Sequence, residues 1–399
     1  MTPKSRSVAQ LQKSVIVIDT HADTPQRLVD ERYDLADPLN GGNLNLDSIH
    51  KGSLGAEFFS IWVEPTLYKG QYARRTLELI DSVQHQVTKH PDQMVFVTTP
   101  AGIEAAHRTR RFAALMGIEG GHSIENSLAL LRQYYALGVR YMTLTWSNSN
   151  DWADSSGDID DKTVLHTRKG LTEFGKDVVH EMNRLGMMVD ISHVADRTFY
   201  RTQVVSRAPV IASHSGARAL CNHPRNMTDD MLGAVAKSGG PHSKGGVVQV
   251  NFYSGFVSQS YCDALETMKP EVDRVVNHAK EKAKAAGREM TPAERQKIRR
   301  RYADKIPRPP LSMLIDHIAH IAQVAGVDHV GLGSDFDGVG GQLPEGLDSA
   351  ADLPKITQAL LDRDYSAEDC RKILGSNLLR VFREVEILSM QMQAENHLR

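Results

Sequence analysis

Short apolar runs rich in β-branched residues recur along the chain, and longer polar segments that permit helices separate them. Each run is near-continuous in hydrophobicity, which is typical of a strand buried on both faces of a parallel sheet. The pattern predicts eight such strands. They are Ser14–Thr20, Phe58–Val63, Phe112–Ile118, Arg140–Thr145, Met187–Ile191, Val210–Ser213, Gly246–Phe252 and Asp328–Gly333.

Helix-length segments lie between these strands, for example Tyr72–Lys89, Ser127–Leu137, Leu171–Leu185 and Leu314–Ala325. Parallel strands that alternate with helices predict an α/β protein in which helices cover the sheet. Eight strand–helix units favour a closed (β/α)8 barrel of the TIM type, and a doubly wound open sheet is the competing architecture. We expect a single barrel domain over residues 1–399.

Side chains suited to chemistry follow the ends of several predicted strands. In (β/α)8 enzymes the active site is built at the carboxyl ends of the strands, so this placement favours the barrel over the open sheet. The residues concerned are His21, Asp23, Glu119, His193, His214 and Asp335.

The composition is that of an ordinary globular protein, with 41% hydrophobic and 24% charged residues. Lys and Arg total 47 and Asp and Glu total 49, so no overall field attracts nucleic acid or an anionic membrane, and we expect a small-molecule partner. A mean hydropathy of −0.36 and the lack of a long apolar run exclude a spanning helix. The first residues lack the apolar stretch of an export leader, which predicts a cytoplasmic protein, or a periplasmic or secreted one if a leader has been removed.

Two segments depart from the strand–helix repeat, a helical insertion and the tail, and a third segment is an acidic loop. Residues Asp263–Pro310, between the seventh and eighth predicted strands, form a helical insertion whose basic stretch Gln296–Arg301 suggests a nucleic-acid patch or a solvated helical hairpin. Interspersed acidic residues favour the hairpin. The acidic segment Asp151–Asp161 lacks the spacing of a calcium loop and predicts a solvated rim. The segment after Glu384 is polar and lacks the apolar stretch of a lipid-anchor signal.

Two motifs contain candidate metal ligands. His21 and Asp23 are two residues apart after a strand, so both side chains point to the same side of the chain. Imidazole with carboxylate suits Zn²⁺ or another first-row divalent ion better than Ca²⁺ or Mg²⁺. Glu119 precedes two glycines that allow close approach of the backbone, and a buried glutamate needs a partner. We interpret Glu119 as a bridge between two metals or as half of an ion pair, and His122 as a packing residue.

The remaining motifs complete a hydrolytic site. His193 and His214 end successive strands and are placed to share one metal, with Asp190 or a backbone carbonyl holding the other ring nitrogen. Asp335 follows the eighth strand as a candidate general acid or base. Asp337 is expected to support the glycine turn that follows it.

In their order along the chain, these motifs resemble the membrane dipeptidase (renal dipeptidase) family of zinc metallopeptidases in the amidohydrolase superfamily. The resemblance implies two Zn²⁺ per chain, with His21 and Asp23 on one ion, His193 and His214 on the other, and Glu119 as the bridge. It runs from about Val15 to Arg383 and rests on Ile18–Asp23, Gly117–Ser123, Asp190–His193, Ser213–Ser215, Arg225–Asn226, Asn251–Tyr253 and Gly333–Gly338.

The same resemblance implies the reaction. A metal-bridging hydroxide would attack the peptide carbonyl of a small dipeptide, including dipeptides with a C-terminal D-residue. Arg225 would bind the substrate's carboxylate through its guanidinium fork, Asp335 would carry the proton to the leaving amine, and Tyr253 would contact the substrate. The resemblance further implies a homodimer.

The resemblance to the family also suggests a disulfide bond. Cys221 and Cys262 resemble positions that pair in exported relatives. If they pair in this chain, Cys370 is left free and the compartment is oxidising.

One departure from the family pattern affects the substrate. The family has a histidine after the fourth predicted strand, where this chain has Trp146. The indole N–H of Trp146 would donate a hydrogen bond to the developing oxyanion, or Asn148 or Asn150 would take the place of the family histidine. Alternatively, Trp146 would only cover the pocket. The departure leaves two alternatives to a dipeptidase: a metal-dependent amidohydrolase acting on N-acyl amino acids or another small amide or lactone, and a non-catalytic or biosynthetic tailoring protein. The complete ligand set and Asp335 argue against the second.

Overall fold

The computed structural model describes residues 3–159 and 169–397. Within these ranges one sheet of parallel strands has the order β2-β1-β9-β8-β7-β6-β5-β4-β3, and pairing of β2 with β4 closes all strands except β3 into a barrel. The predicted (β/α)8 barrel is confirmed, and each predicted strand overlaps one barrel strand. The strands are β1 (Val17–Ala22), β2 (Leu54–Trp62), β3 (Met94–Phe96), β4 (Phe112–Glu119), β5 (Val139–Thr143), β6 (Met188–Asp190), β7 (Ile211–Ser215), β8 (Val247–Asn251) and β9 (Val330–Gly333).

Helices surround the barrel. The four predicted helical segments each overlap one of them: α4 (Tyr72–Lys89), α6 (Leu128–Ala136), α7 (Glu173–Leu185) and α13 (Leu311–Ala325). Short 3₁₀ turns span Gly121–Ile124, Val327–His329 and Ala350–Asp352, and a π-helical turn spans Lys372–Ser376. The α-helices are α1 (Pro3–Ser14), α2 (Thr24–Asp30), α3 (Leu46–Gly52), α4 (Tyr72–Lys89), α5 (Pro100–Arg108), α6 (Leu128–Ala136), α7 (Glu173–Leu185), α8 (Asp196–Val205), α9 (Asp229–Val235), α10 (Ser254–Val257), α11 (Gln259–Ala285), α12 (Pro292–Ala303), α13 (Leu311–Ala325), α14 (Leu353–Leu361), α15 (Ala367–Arg371) and α16 (Asn377–His397).

The short strand β3 was not predicted. It pairs with the first residues of β4, from Met94 opposite Phe112 to Phe96 opposite Ala114. Three residues are too few to give a periodic signal in the sequence.

The barrel interior is packed with side chains that cross it. A Cβ on Gly117 of β4 would lie 2.0 Å from Cζ of Tyr141, so the missing side chain makes room for the tyrosine ring. The hydroxyl of Tyr141 then reaches across to β1, where it donates to the carbonyl of Thr20 at 2.9 Å. Gly117 therefore decides where the tyrosine hydroxyl lies relative to His21.

Helices α11 and α12 occupy the segment between β8 and β9. Helix α12 begins with a capping box between Thr291 and Glu294. Both terminal nitrogens of Arg295 lie 3.4 Å from Oε1 of Glu64, which follows β2, and the side chain of Gln296 lies against Gly340, which follows β9. One face of the hairpin thus contacts loops at the carboxyl end of the barrel, which the sequence did not indicate.

The acidic segment predicted to form a solvated rim is described only to Ile159, since Asp160 and Asp161 lie outside the described residues. Within it, Asp154 is 0% exposed and forms an ion pair with Arg197 at 2.9 Å. The prediction of a wholly solvated rim is therefore wrong.

The three cysteines are buried and unbridged in this structure. Burial, with the neighbouring thiol of Cys262, raises the pKa of Cys221 to about 12. The two thiols are therefore neighbours, and their pairing stays a prediction. Among the helices described, none combines the length and the hydrophobicity that a membrane-spanning segment needs.

Candidate metal centre

Five candidate ligands converge at the carboxyl end of the barrel. His21 lies in β1 with Asp23 just beyond it, and Glu119 ends β4. His193 follows β6 and His214 lies in β7. None of the five residues is more than 8% exposed, so their polar atoms need partners other than bulk water.

Glu119 lies between two groups of ligands. Its Oε2 is 3.4 Å from Nε2 of His21, and that nitrogen is 3.7 Å from Oδ2 of Asp23. Its other oxygen, Oε1, is 2.8 Å from Nε2 of His193 and 3.5 Å from Nε2 of His214. Each oxygen of one carboxylate therefore faces a different histidine group.

The tautomer of His21 follows from its contact with Tyr141. The Tyr141 hydroxyl uses its proton on the carbonyl of Thr20, so its oxygen accepts the Nδ1–H of His21 at 3.0 Å. This leaves a lone pair on Nε2 of His21, and that buried atom has no hydrogen-bond partner among the described residues. A lone pair aimed at carboxylates is explained by a cation between them.

A similar chain of hydrogen bonds orients His214. Its Nδ1 lies 2.8 Å from the hydroxyl of Ser213, and that hydroxyl donates to Oδ2 of Asp190 at 2.6 Å. Asp190 also accepts the hydroxyl of Thr143 and the backbone N–H of Ser192. The sequence analysis expected Asp190 or a carbonyl to hold the ring nitrogen directly, but Ser213 lies between them.

The two histidines of the second group lie close enough together to share one cation. Their Nε2 atoms are 3.0 Å apart, beside Oε1 of Glu119. Burial and the charge of Arg225 lower the pKa of His193 to about 4, and burial lowers the pKa of His214 well below its usual value. Both imidazoles are then neutral, the form that binds a metal. The residues present fit a divalent metal.

The carboxylates are crowded on the β1 side. The ligand atoms of His21, Asp23 and Asp335 lie within 4.8 Å of one another, as do those of His21, Glu119 and His214. A Cβ on Gly338 would lie 2.1 Å from Oδ2 of Asp23 and 2.3 Å from Oδ1 of Asp335, so only glycine leaves room for both carboxylates.

Burial raises the pKa of Asp335 to about 7, and the charge of Asp23 adds to this shift. Asn251 of β8 donates to Oδ2 of Asp335 at 2.9 Å. This hydrogen bond holds one oxygen and leaves Oδ1 for chemistry.

Left-handed backbone conformations place several of these side chains. His193, Asp335 and Asp337 have φ values of 65°, 63° and 64°, which are strained for residues with a Cβ. Asp337 holds its turn in place because it accepts the hydroxyl of Thr24 at 2.6 Å and the backbone N–H of Asn43 at 2.7 Å. Its position agrees with the structural role expected of it.

Arg225 lies on the far side of the ligand cluster. Its Nη2 donates to the carbonyl of His214 at 2.9 Å, and its Cζ lies 5.3 Å from the ring centroid of Phe256. Its Nε is buried and has no hydrogen-bond partner among the described residues. Burial lowers the pKa of Arg225 to about 10, because the charged guanidinium is less stable away from water. Tyr253 packs edge-on against Phe256 with centroids 4.8 Å apart.

Trp146 lies beside His193, with ring centroids 6.3 Å apart. Asn150 does not replace the family histidine, because its amide donates to the carbonyl of Leu144 and accepts the backbone N–H groups of Trp152 and Ala153. His122 packs as expected: its Nε2 lies 2.8 Å from the carbonyl of Val63.

Comparison with known proteins places this site in a family. The sequence model of the membrane dipeptidase family, peptidase family M19, matches residues 5–396. The chain belongs to this family. Dipeptidase 3 of Homo sapiens is 33% identical over 405 residues, which cover 99% of this chain and 71% of that protein. Dipeptidase 3 of Macaca fascicularis is 32% identical over 98% of this chain and 70% of that protein. As a member of the membrane dipeptidase family, the chain is a metal-dependent dipeptidase, as the sequence predicted.

Solved structures share the fold. The probable dipeptidase PvdM from Pseudomonas aeruginosa has a TM-score of 0.81 and 23% identity, covering 96% of this chain and 99% of that one. A metallopeptidase from Rhodobacter sphaeroides was solved with a phosphinate mimic of the dipeptide L-Ala-D-Ala. It has a TM-score of 0.72 and 22% identity, and the match covers 93% of this chain and 99% of that one.

Sequence reasoning missed the residues that orient the ligands. It assigned no role to Tyr141, to Ser213, or to Ser60, whose hydroxyl donates to Oε2 of Glu119 at 3.1 Å. Asn251 was quoted only as part of a motif. Each lies in a barrel strand, and the inward-facing positions of those strands were the available signal.

Proposed function

We propose that this chain hydrolyses the peptide bond of free dipeptides, including those with a C-terminal D-residue, using two zinc ions. The observation that carries the proposal is the position of Glu119, whose two oxygens face two separate groups of ligands. One group would hold each ion, and Glu119 would bridge them. The ligands would be His21, Asp23, Glu119, His193 and His214.

Bound zinc would supply the Lewis acidity that polarises a peptide carbonyl and lowers the pKa of water. The protein's own residues prepare the site for this. Tyr141 and Ser213 fix the ring orientations of His21 and His214. The burial of the cluster keeps competing water away and strengthens every electrostatic contact in it.

Asp335 is the group placed to move protons. Its carboxylate lies beside the candidate ligands, and burial raises its pKa, which favours acceptance of a proton. Oδ1 would take a proton from the attacking water and deliver it to the leaving amine, while Asn251 keeps Oδ2 in place.

Arg225 would select a free carboxylate at the C-terminal end of the substrate. Its unpartnered Nε and its guanidinium plane suit a paired contact with two carboxylate oxygens. A bound carboxylate would also offset the burial of the guanidinium charge. The dipeptide mimic bound by the Rhodobacter sphaeroides metallopeptidase supports a substrate of this size and of this C-terminal stereochemistry.

The test is a substrate panel on zinc-loaded protein. We expect about two zinc equivalents per chain by elemental analysis and release of amino acids from L-L and L-D dipeptides. N-acetyl amino acids serve as the comparison, because they keep the C-terminal carboxylate and lack the free amine. Hydrolysis of the acetylated compounds alone would replace the dipeptidase by the amidohydrolase alternative, and a folded protein that binds no zinc would remove the mechanism.

The chain is proposed to form a homodimer. Large apolar side chains are exposed on two outer helices that both contact α7, with Val204 of α8 79% and Met390 of α16 66% exposed. An ion pair between Arg207 and Glu395 joins the ends of these helices. Light scattering should give twice the chain mass, and Met390→Glu should lower it if this face is the interface.

A further inference from the structure

Two tryptophans form one wall of the site. Trp62 ends β2 and Trp146 follows β5, and their ring centroids are 4.9 Å apart. The two strands flank β4, so the ring pair lies over the strand that carries Glu119. We call Trp62 and Trp146 the tryptophan wall.

Gly120 allows the wall to approach the ligands. It has a φ of 102°, and a Cβ there would lie 3.3 Å from Cβ of Trp146 and 2.4 Å from Cε1 of His122. Since no side chain fits between them, Trp146 lies directly against the turn after Glu119. Both tryptophans remain partly exposed although the ligands beside them are buried.

The wall is chemically apolar. The carboxylate closest to it in sequence, Glu64, accepts the backbone N–H groups of Thr66 and Leu67 and pairs with Arg295. The carboxylate of Glu64 is therefore already paired. The indole N–H of Trp62 has no hydrogen-bond partner among the described residues. That nitrogen is itself buried, so the wall offers ring faces to a ligand.

The wall lies across the barrel from Arg225. In the ring of barrel strands, β4 is opposite β8, and Arg225 and Tyr253 follow β7 and β8. A dipeptide with its carboxylate at Arg225 and its peptide bond beside Glu119 directs its N-terminal residue to the opposite side. The tryptophan wall occupies that side.

We propose that the tryptophan wall is a subsite for the side chain of the N-terminal residue, and that the chain selects dipeptides whose first residue is bulky and apolar. This inference rests on the proposed function for the orientation of the substrate. Apolar side chains displace water from the two rings, whereas burial of a charged side chain against them costs free energy.

Kinetics on the zinc-loaded protein test the selection. We expect kcat/KM for Leu-Gly and Phe-Gly to exceed that for Gly-Gly by ~10-fold or more, as methylene groups in an apolar site discriminate by this order. Trp146→Ala and Trp62→Ala should each reduce the ratio to within ~3-fold. Trp146→Phe keeps a ring and should retain most of the preference. Tyr200→Ala, an exposed aromatic residue on α8, is the matched control and should leave the ratio unchanged.

Binding provides a readout that does not depend on turnover. Asp335→Asn protein loaded with zinc is titrated with Leu-Gly or Gly-Gly while tryptophan fluorescence is recorded. Trp62 and Trp146 are two of the three tryptophans, and the third, Trp152, is 1% exposed. Leu-Gly should bind more tightly and change the fluorescence, and Trp146→Ala in this background should remove most of both effects.

The outcomes separate the two proposals. Equal affinity for Leu-Gly and Gly-Gly, or a preference that persists in both the Trp62→Ala and Trp146→Ala proteins, overturns the subsite. Selective binding of Leu-Gly without hydrolysis of any dipeptide leaves the subsite standing and refutes the proposed function.

Discussion

Asp19 accepts both the backbone N–H and the hydroxyl of Ser334. Its Oδ1 lies 2.7 Å from the Ser334 nitrogen, and its Oδ2 accepts the hydroxyl. The hydroxyl oxygen in turn accepts the backbone N–H of Phe336 at 3.1 Å. Strand β1 is thereby fixed to the turn on which Asp335 takes its left-handed conformation.

We predict that Ser334→Ala lowers kcat by about 10- to 100-fold with little change in KM, the size of effect typical of residues that support a metal site. The substitution removes the hydroxyl that fixes the Asp335 turn and leaves Arg225 in place. Steady-state kinetics on a dipeptide measure this. Ser238→Ala is the matched control, because that buried hydroxyl donates to the carbonyl of Val235 outside the site. A Ser334→Ala protein with unchanged kcat would show that the turn holds without the serine.

Ser213→Ala should weaken zinc binding, because it removes the group between Asp190 and the ring of His214. Loss of such an outer partner typically costs about 10- to 100-fold in metal affinity. Competition with a zinc chelator measures this without any substrate. Ser206→Ala, whose buried hydroxyl donates to the carbonyl of Ala208, should bind zinc as the parent does. Equal zinc affinities in the parent, the Ser213→Ala protein and the Ser206→Ala protein would contradict a role of Ser213 in orienting His214.

Arg225→Lys should raise KM for free dipeptides by ~10- to 100-fold, since hydrogen bonds to a charged group contribute roughly 1.5–3 kcal/mol. Lysine keeps the positive charge but lacks the planar fork. The comparison substrate is the same dipeptide with an amidated C-terminus, whose already poor KM should hardly change. A KM that rises equally for both substrates would mean that Arg225 acts on the ligands and not on the carboxylate.

His317 should make stability depend on pH between about 6.5 and 4. Its Nδ1 accepts the N–H of Ala217 and its Nε2 donates to the carbonyl of Val257, both at 3.0 Å. Burial lowers the pKa of His317 from 6.5 to about 4. The unfolded chain therefore binds a proton that the folded chain does not, so this contribution is fully present above pH 6.5 and is lost as the pH falls toward 4.

His317→Gln keeps an acceptor and a donor but does not titrate. Urea unfolding of zinc-free protein at pH 7 and pH 5 should show a loss of stability that is about 2 kcal/mol larger in the parent than in the variant. Other histidines contribute equally to both proteins and cancel in the difference. Parallel losses in the two proteins would disprove the assignment.

The barrel could be predicted because its strands are apolar on both faces. The clustering of the candidate ligands could be predicted because each one ends or follows such a strand. Contacts that form only when the strands close into a barrel could not be predicted. Tyr141 reaches His21 only across the barrel interior, and Arg295 meets Glu64 only when α12 lies on the loop after β2. Neither contact leaves a periodic signal in the sequence, because the partners are far apart along the chain.

The candidate ligands from residues 21 to 214 lie in or just after four different barrel strands, β1, β4, β6 and β7. A shared cation would cross-link these strands in the folded chain and have no equivalent binding site in the unfolded one. Zinc loading should therefore raise the melting temperature, and chelation should lower it. Thermal denaturation thus becomes a measure of metal occupancy that needs neither a substrate nor an assay of catalysis.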